Sequence, residues 1–123
     1  MATGTISKYS DGTDTGWTDI TLNSDNMNTN EGTLKYRCIG NLVIVVGDSL
    51  KLKSAVTGTS AVVIGNIPQG VRPQINTAAV GGGRNYPLQC NTFANGNIAI
   101  YKPDYMQNIP TTLALYFFGA YFI

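Results

Sequence analysis

Between Thr33 and Ile39 the chain reads TLKYRCI, and in an extended conformation Leu34, Tyr36 and Cys38 fall on one face while Lys35 and Arg37 fall on the other. This is the alternation of a strand with one face in the core and one in water. Gly40-Asn41 follows as a two-residue turn able to accept positive φ, so a tight antiparallel hairpin is expected. The second strand of that hairpin is different. In LVIVV, Leu42, Ile44 and Val46 point one way and Val43 and Val45 the other, so both faces are apolar. Such a strand is covered by two layers of one fold, or by one layer and another subunit.

On either side of this hairpin the same reading gives further short strands separated by turn residues. WTDITL from Trp17 is a short strand, and NSDNMNTNEG is a polar loop in which Met27 plugs the core. Gly47-Asp48 marks a turn before SLKLKSAV, where Leu50 and Leu52 oppose Lys51 and Lys53 in the manner of an edge strand. AVVIG is a continuous apolar strand. IPQGVRP turns about Gly70 between Pro68 and Pro73, which exclude helix and ladder interior. INTAAV is a strand of small residues and GGGRN a loop or bulge. YPLQCNTF places Tyr86, Leu88, Cys90 and Thr92 on one face; ANGN is a second hairpin turn; NIAIY turns Ile98 and Ile100 inward. After the loop KPDYMQNIPTT, the C-terminal run LALYFFGAYFI is apolar on both faces, too aromatic for an open edge. It belongs at the centre of the sheet or against a neighbouring chain. No segment holds a helical period, and turn signals recur about every 8–12 residues. The fold class expected is all-β, an antiparallel β-sandwich or jelly-roll. Residues 1–16, rich in Gly, Thr, Ser and Asp, read as an N-terminal arm or linker, and 17–123 as the single folded domain.

Composition narrows the partners. The formal charge is +1 and only 12% of residues are charged, with the basic ones scattered, so nucleic acid is not an expected partner. No run approaches the ~20 apolar residues of a membrane span, and MATGTISKYSDG has no signal-peptide core, so membrane insertion is not expected.

The chain has no histidine, which removes the Ser-His-Asp and Cys-His machineries and the commonest metal ligand. Cys38 and Cys90 have no activating neighbour and read as small buried hydrophobes, with a disulfide between them left open. The carboxylates show no spacing that pairs two of them for glycoside hydrolysis, and GGGRN lacks the lysine and helix of a phosphate-binding loop. No enzymatic activity, metal or cofactor is expected. Binding is easier to accommodate, because sugars are held by aromatic faces together with Asn, Asp and Arg side chains on loops. The candidates are Arg84, Asn85, Tyr86, Tyr101, Asp104 and Tyr105, with Asn95 and Asn97 beside them in the same polar set. The structural alternative is that these are ordinary turn asparagines and half-buried strand tyrosines.

Four stretches in order, GW at Gly16-Trp17, YRCIGNLVIVVG from Tyr36, IGNIPQGVRP from Ile64 and NGNIAIY from Asn95, resemble the C-terminal head (receptor-binding) domains of phage and prophage tail-fibre or baseplate proteins. Val71 stands where that family commonly has an aromatic residue. The resemblance implies a β-sandwich head that forms a homotrimer and attaches without catalysis to bacterial cell-surface saccharide. It further implies a place at the tail tip or fibre of the virion, assembly in the host cytoplasm with reduced cysteines, and contact with other tail or baseplate proteins through the N-terminal arm. A structural trimerisation tip without ligand, or a polysaccharide depolymerase, are the alternatives it leaves.

Overall fold

The computed structural model describes residues 14–123. Eight strands are present: β1 Thr18–Asp19, β2 Thr33–Ile39, β3 Leu42–Leu50, β4 Val62–Asn66, β5 Thr77–Gly83, β6 Tyr86–Thr92, β7 Asn97–Tyr101 and β8 Leu115–Phe122. They hydrogen-bond as one antiparallel ladder in the order β1-β2-β3-β8-β5-β6-β7-β4. The expected all-β antiparallel class is borne out, and the sheet curls so that its two halves face one another across a shared core. Its two edges also meet. β1 pairs with β2, Ile20 N donates to Leu34 O (2.8 Å), and two residues on Leu22 bridges Gly65 while Asn23 N donates to Ile64 O (2.9 Å) on β4. Backbone groups at both rims are thereby partly satisfied, which blunts the tendency of an open edge to pair with another chain.

The core follows from the period of two. Leu34 and Cys38 on β2, Val43 and Val45 on β3, Leu88, Cys90 and Thr92 on β6, and Leu115, Phe117 and Tyr121 on β8 all point inward and are buried. Met27 plugs the core from its loop, as the sequence suggests, and bridges Leu52. β8 lies centrally, between β3 and β5, in register Val46↔Phe118↔Val80.

Four local expectations are corrected. First, Gly47-Asp48 does not turn the chain. β3 runs through it to Leu50 with a bulge, so no separate SLKLKSAV edge strand forms and beyond Leu50 only Leu52 and Val56 make isolated bridges. The reason is inward crowding: Gly47 faces the core, where a Cβ would lie 2.7 Å from Leu50 Cδ1 and 3.1 Å from Phe117 Cβ, so the glycine serves packing rather than turning. Second, GGG is not loop. Gly81, Gly82 and Gly83 complete β5, and the turn is Arg84-Asn85 alone, with Asn85 at φ 63°. Third, of the two covers open to LVIVV, a second layer of the same chain is ruled out, since Leu42, Ile44 and Val46 remain half-exposed. Fourth, WTDITL contributes only Thr18–Asp19 as strand, because its later residues leave β2 to reach β4. The arm expected over 1–16 lies almost wholly outside the described residues. Its last described residues run along β2: Asp14 makes an ion pair with Arg37 (2.6 Å), and Thr15 N donates to Cys38 O (3.0 Å). The Arg37 guanidinium, seconded by the Gly16 N–H, holds the exposed Asp14 carboxyl at about 2.

Both thiols are free and buried. Burial pushes Cys90 up to about 11 and raises Cys38, to which the charge of Asp14 adds. A group with that value is about 0.1% thiolate at pH 8, and the thiolate is the reactive form. Native protein should therefore resist a thiol-reactive dye for hours at pH 8 and take up label at both positions once unfolded in guanidinium; rapid stoichiometric labelling of native protein would contradict this placement.

Candidate functional site

Strand direction sorts the loops onto two ends of the sheet. β6 begins at Tyr86 and β7 ends at Tyr101, with Gln89 opposite Tyr101, so the Arg84-Asn85 turn and the loop after Tyr101 emerge together. All six leading candidates, Arg84, Asn85, Tyr86, Tyr101, Asp104 and Tyr105, are thus at or near one end. They are not one pocket. Tyr101 and Asp104 share a shallow groove of about 300 Å³ with Thr59, Gln89, Lys102 and Pro103. Arg84 and Asn85 are exposed on their turn and do not line that groove, and Tyr86 is half-buried and packed against the core. Tyr105 is 84% exposed, an aromatic ring held in water at a loop tip. Exposed loop rings of this kind are where binding surfaces are found, because the scaffold does not use them.

The loop carrying Asp104 and Tyr105 is fastened by a residue the sequence did not single out. Lys102 is only 5% exposed, and its Nζ donates to Met106 O (2.8 Å) and Pro103 O (3.2 Å). The ammonium closes the loop on itself by satisfying two of its carbonyls. In sequence it is one lysine after a strand, and nothing in KPDY distinguishes it from a solvated one.

Asn95 and Asn97 belong elsewhere. Their hairpin leaves the opposite end, where Asn95 Oδ1 accepts from Asn97 N (2.9 Å) and Asn97 Oδ1 accepts from Asn66 Nδ2 (2.9 Å). Arg72 joins them, donating from Nη2 to Asn66 Oδ1 (2.7 Å) and from Nε to Ile67 O (2.8 Å). The structural reading holds for this pair: they anchor the IPQGVRP turn, whose Val71 carbonyl accepts from the Tyr121 hydroxyl of β8. Gln69–Val71 within that turn is a single 3₁₀ turn.

The remaining feature is a surface. On the outward face of the central strands, Tyr116 and Phe118 are about half exposed, Phe122 72% and Val80 65%. Cross-strand pairing sets Phe118 between Val46 and Val80 and Phe122 beside Leu42, giving a continuous apolar stripe over β3, β8 and β5. Large contiguous apolar patches on a small domain mark contact surfaces. Among the described residues no group of three or more His, Cys, Asp and Glu side chains is placed to hold a metal ion.

No protein-family model matches this chain, and no curated protein does. Among solved structures, the crystal structure of the head domain of phage bIL170, presented among the receptor-binding domains of lactococcal phages, is similar at a TM-score of 0.67 and 20% identity. The match covers 88% of this chain and 97% of that one. The chain has the fold of a phage receptor-binding head. In this head fold the GN turn, the proline-bounded segment and the NG hairpin that carry the resemblance all sit at the end opposite the exposed Tyr105. These three recognisable pieces are therefore scaffold at the end away from the candidate loops.

Proposed function

We propose that this chain is the receptor-binding head of a phage tail fibre or baseplate, attaching without catalysis to saccharide on the bacterial cell surface. The observation that carries the reading is the likeness of fold, over 88% of the chain, to a domain presented as receptor-binding. Three copies assemble through the apolar stripe of β3, β8 and β5, which needs cover and lies on the central strands. Residues 1–16 join the head to other tail or baseplate proteins, so the protein is carried on the virion tail tip after assembly in the host cytoplasm. Saccharide is met by the loop end: Tyr105 offers a ring face, Asp104 and the Arg84-Asn85 turn offer hydrogen bonds, and Tyr101 and Tyr86 support them from the sheet. Weak individual sites, of about 1 mM, become useful when three act together.

The test is adsorption of purified head to envelope fractions from a panel of bacteria. Wild type should bind at least one, and Tyr105→Ala with Asp104→Asn should weaken adsorption at least about tenfold with mass and fold unchanged. Full adsorption by the double variant would refute the loop site. A wild type that binds no envelope leaves the structural tip module as the better account.

A further inference from the structure

A second place on the head has the chemistry of a sugar site, and it uses none of the loop residues above. Trp17, Thr33, Lys35, Val46 and Asp48 line one groove of about 310 Å³, at the lower end of the ~300–1,000 Å³ range of small-molecule sites. The ladder brings them together on the outward face: Thr33 stands opposite Asp48 and Lys35 opposite Val46, while Trp17 directly precedes β1, whose Asp19 pairs with Lys35. Trp17 is the chain's single tryptophan and leaves half of its surface in water.

The alternation of β3 aims the carboxylate, since Asp48 follows Ile44 and Val46 on the outward face. Without an extra residue the alternation that buries Val43, Val45 and Gly47 would turn Leu50 outward. The register shift between Gly47 and Leu50 returns Leu50 to the core, while Asp48 keeps the outward position opposite Thr33 that alternation gives it. Bulges near sheet rims commonly re-aim a side chain in this way. Ser49, at φ 54°, donates from Oγ to Asp48 Oδ1 (2.8 Å) and lies 3.4 Å from the Tyr116 hydroxyl. One carboxylate oxygen is thus held, and among the described residues the other accepts no protein hydrogen bond. Lys35 Nζ is 3.6 Å from Asp19 Oδ1, which steadies the ammonium on the groove wall.

We propose that this groove binds one pyranose ring of a surface glycan. The apolar C–H face of the ring lies on the indole and on Val46, Asp48 accepts from two adjacent hydroxyls, and Lys35 and Thr33 donate to ring or hydroxyl oxygens. An indole, a partly free carboxylate and an ammonium in one groove suit a neutral, many-hydroxyled ligand. A phosphate-rich one would meet Asp48 with like charge. The groove spans β1, β2 and β3 and meets the β3–β8–β5 stripe at Val46, with Trp17, Thr33 and Lys35 on the side away from β8.

The proposal rests on the receptor-binding reading for its biological ligand, and the experiment separates the two. Tryptophan emission of the full chain is titrated with glucose, galactose, mannose and their N-acetylated amines up to about 50 mM, which covers a Kd of about 1 mM. Because Trp17 is the chain's single tryptophan, a saturable change under selective excitation of the indole reports this groove. The expected result is saturation with at least one hexose, weakened at least about tenfold in Asp48→Asn and retained in Tyr105→Ala, with circular dichroism unchanged in both variants. No change with any of the sugars, or a change indifferent to Asp48→Asn, overturns the site. Envelope adsorption by Trp17→Leu gives the second arm. Undiminished adsorption refutes the groove and leaves receptor binding standing, whereas hexose saturation in a protein that adsorbs to no envelope does the reverse.

Discussion

Phe118→Asp is expected to leave the head folded and to convert the proposed trimer to a monomer. Phe118 is half exposed at the middle of the apolar stripe, flanked across the ladder by Val46 and Val80. In the isolated chain an aspartate there meets water and costs about 1 kcal/mol or less. In the proposed trimer each copy would bury an unpaired carboxylate, a cost of several kcal/mol per chain that no apolar contact restores. Its neighbour behaves in the opposite way. Phe117 is 2% exposed and faces the core, so Phe117→Asp places the charge where only hydrophobic side chains surround it and should unfold a domain whose whole stability is about 5–15 kcal/mol. Size exclusion with light scattering and circular dichroism read both variants. A wild type that already runs as a monomer, or a Phe118→Asp variant that keeps the wild-type mass, refutes the trimer.

That contrast also marks how far the sequence could be read. In LYFFGAYF every residue but Gly119 and Ala120 is large and apolar, so periodicity could say only that both faces want cover; which phenylalanine is core depends on the register with β3 and β5. Where one face was polar, as in TLKYRCI and YPLQCNTF, the inward residues were named correctly, because a lysine or glutamine decides the parity. The turns at Gly40-Asn41 and in ANGN were legible for the same reason, since few residue pairs accept their backbone angles. The strand order was not legible. Neighbours such as β8 and β5 are set by packing across a curled sheet, and no local signal encodes it.

The candidate site was half legible. Loop aromatics and polar residues were found by type, but their grouping depends on which end of the sheet each hairpin leaves, and this split Asn95 and Asn97 from Tyr101, Asp104 and Tyr105. Trp17, Lys35 and Asp48 were missed as a group because they lie on three different strands or their flanks, and Gly47-Asp48 looks in sequence like a turn although β3 runs on through it.

The glycine run was the clearest misreading, and it carries the second large effect: Gly82→Ala is expected to destabilise the fold by roughly 2–5 kcal/mol. Gly82 sits inside β5 between Pro87 of β6 and Tyr116 of β8, at φ 143°, a conformation L side chains rarely adopt. A Cβ there would overlap the Tyr86 carbonyl oxygen and lie 3.2 Å from Leu88 N. Both are backbone atoms of the neighbouring strand, so nothing can swing aside, and relief requires prying β6 from β5. Gly81 is constrained by a different neighbour: its Cβ would meet the Tyr116 carbonyl oxygen, with Cys90 Sγ at 2.9 Å. The three glycines therefore let β5 lie close against the strands on both sides of it, and flexibility is not their role. In a domain of this size 1 kcal/mol moves the melting temperature by about 3–6 °C, so Gly82→Ala should melt at least about 6 °C below wild type. Gly58 and Gly70 supply the controls, because a Cβ at either has nothing within 4 Å and neither has a positive φ. Alanine at those two positions should change stability by no more than about 0.5 kcal/mol. If Gly82→Ala melts with the controls, β5 does not extend through the glycines, and the Tyr116 end of β8 loses the partner described here.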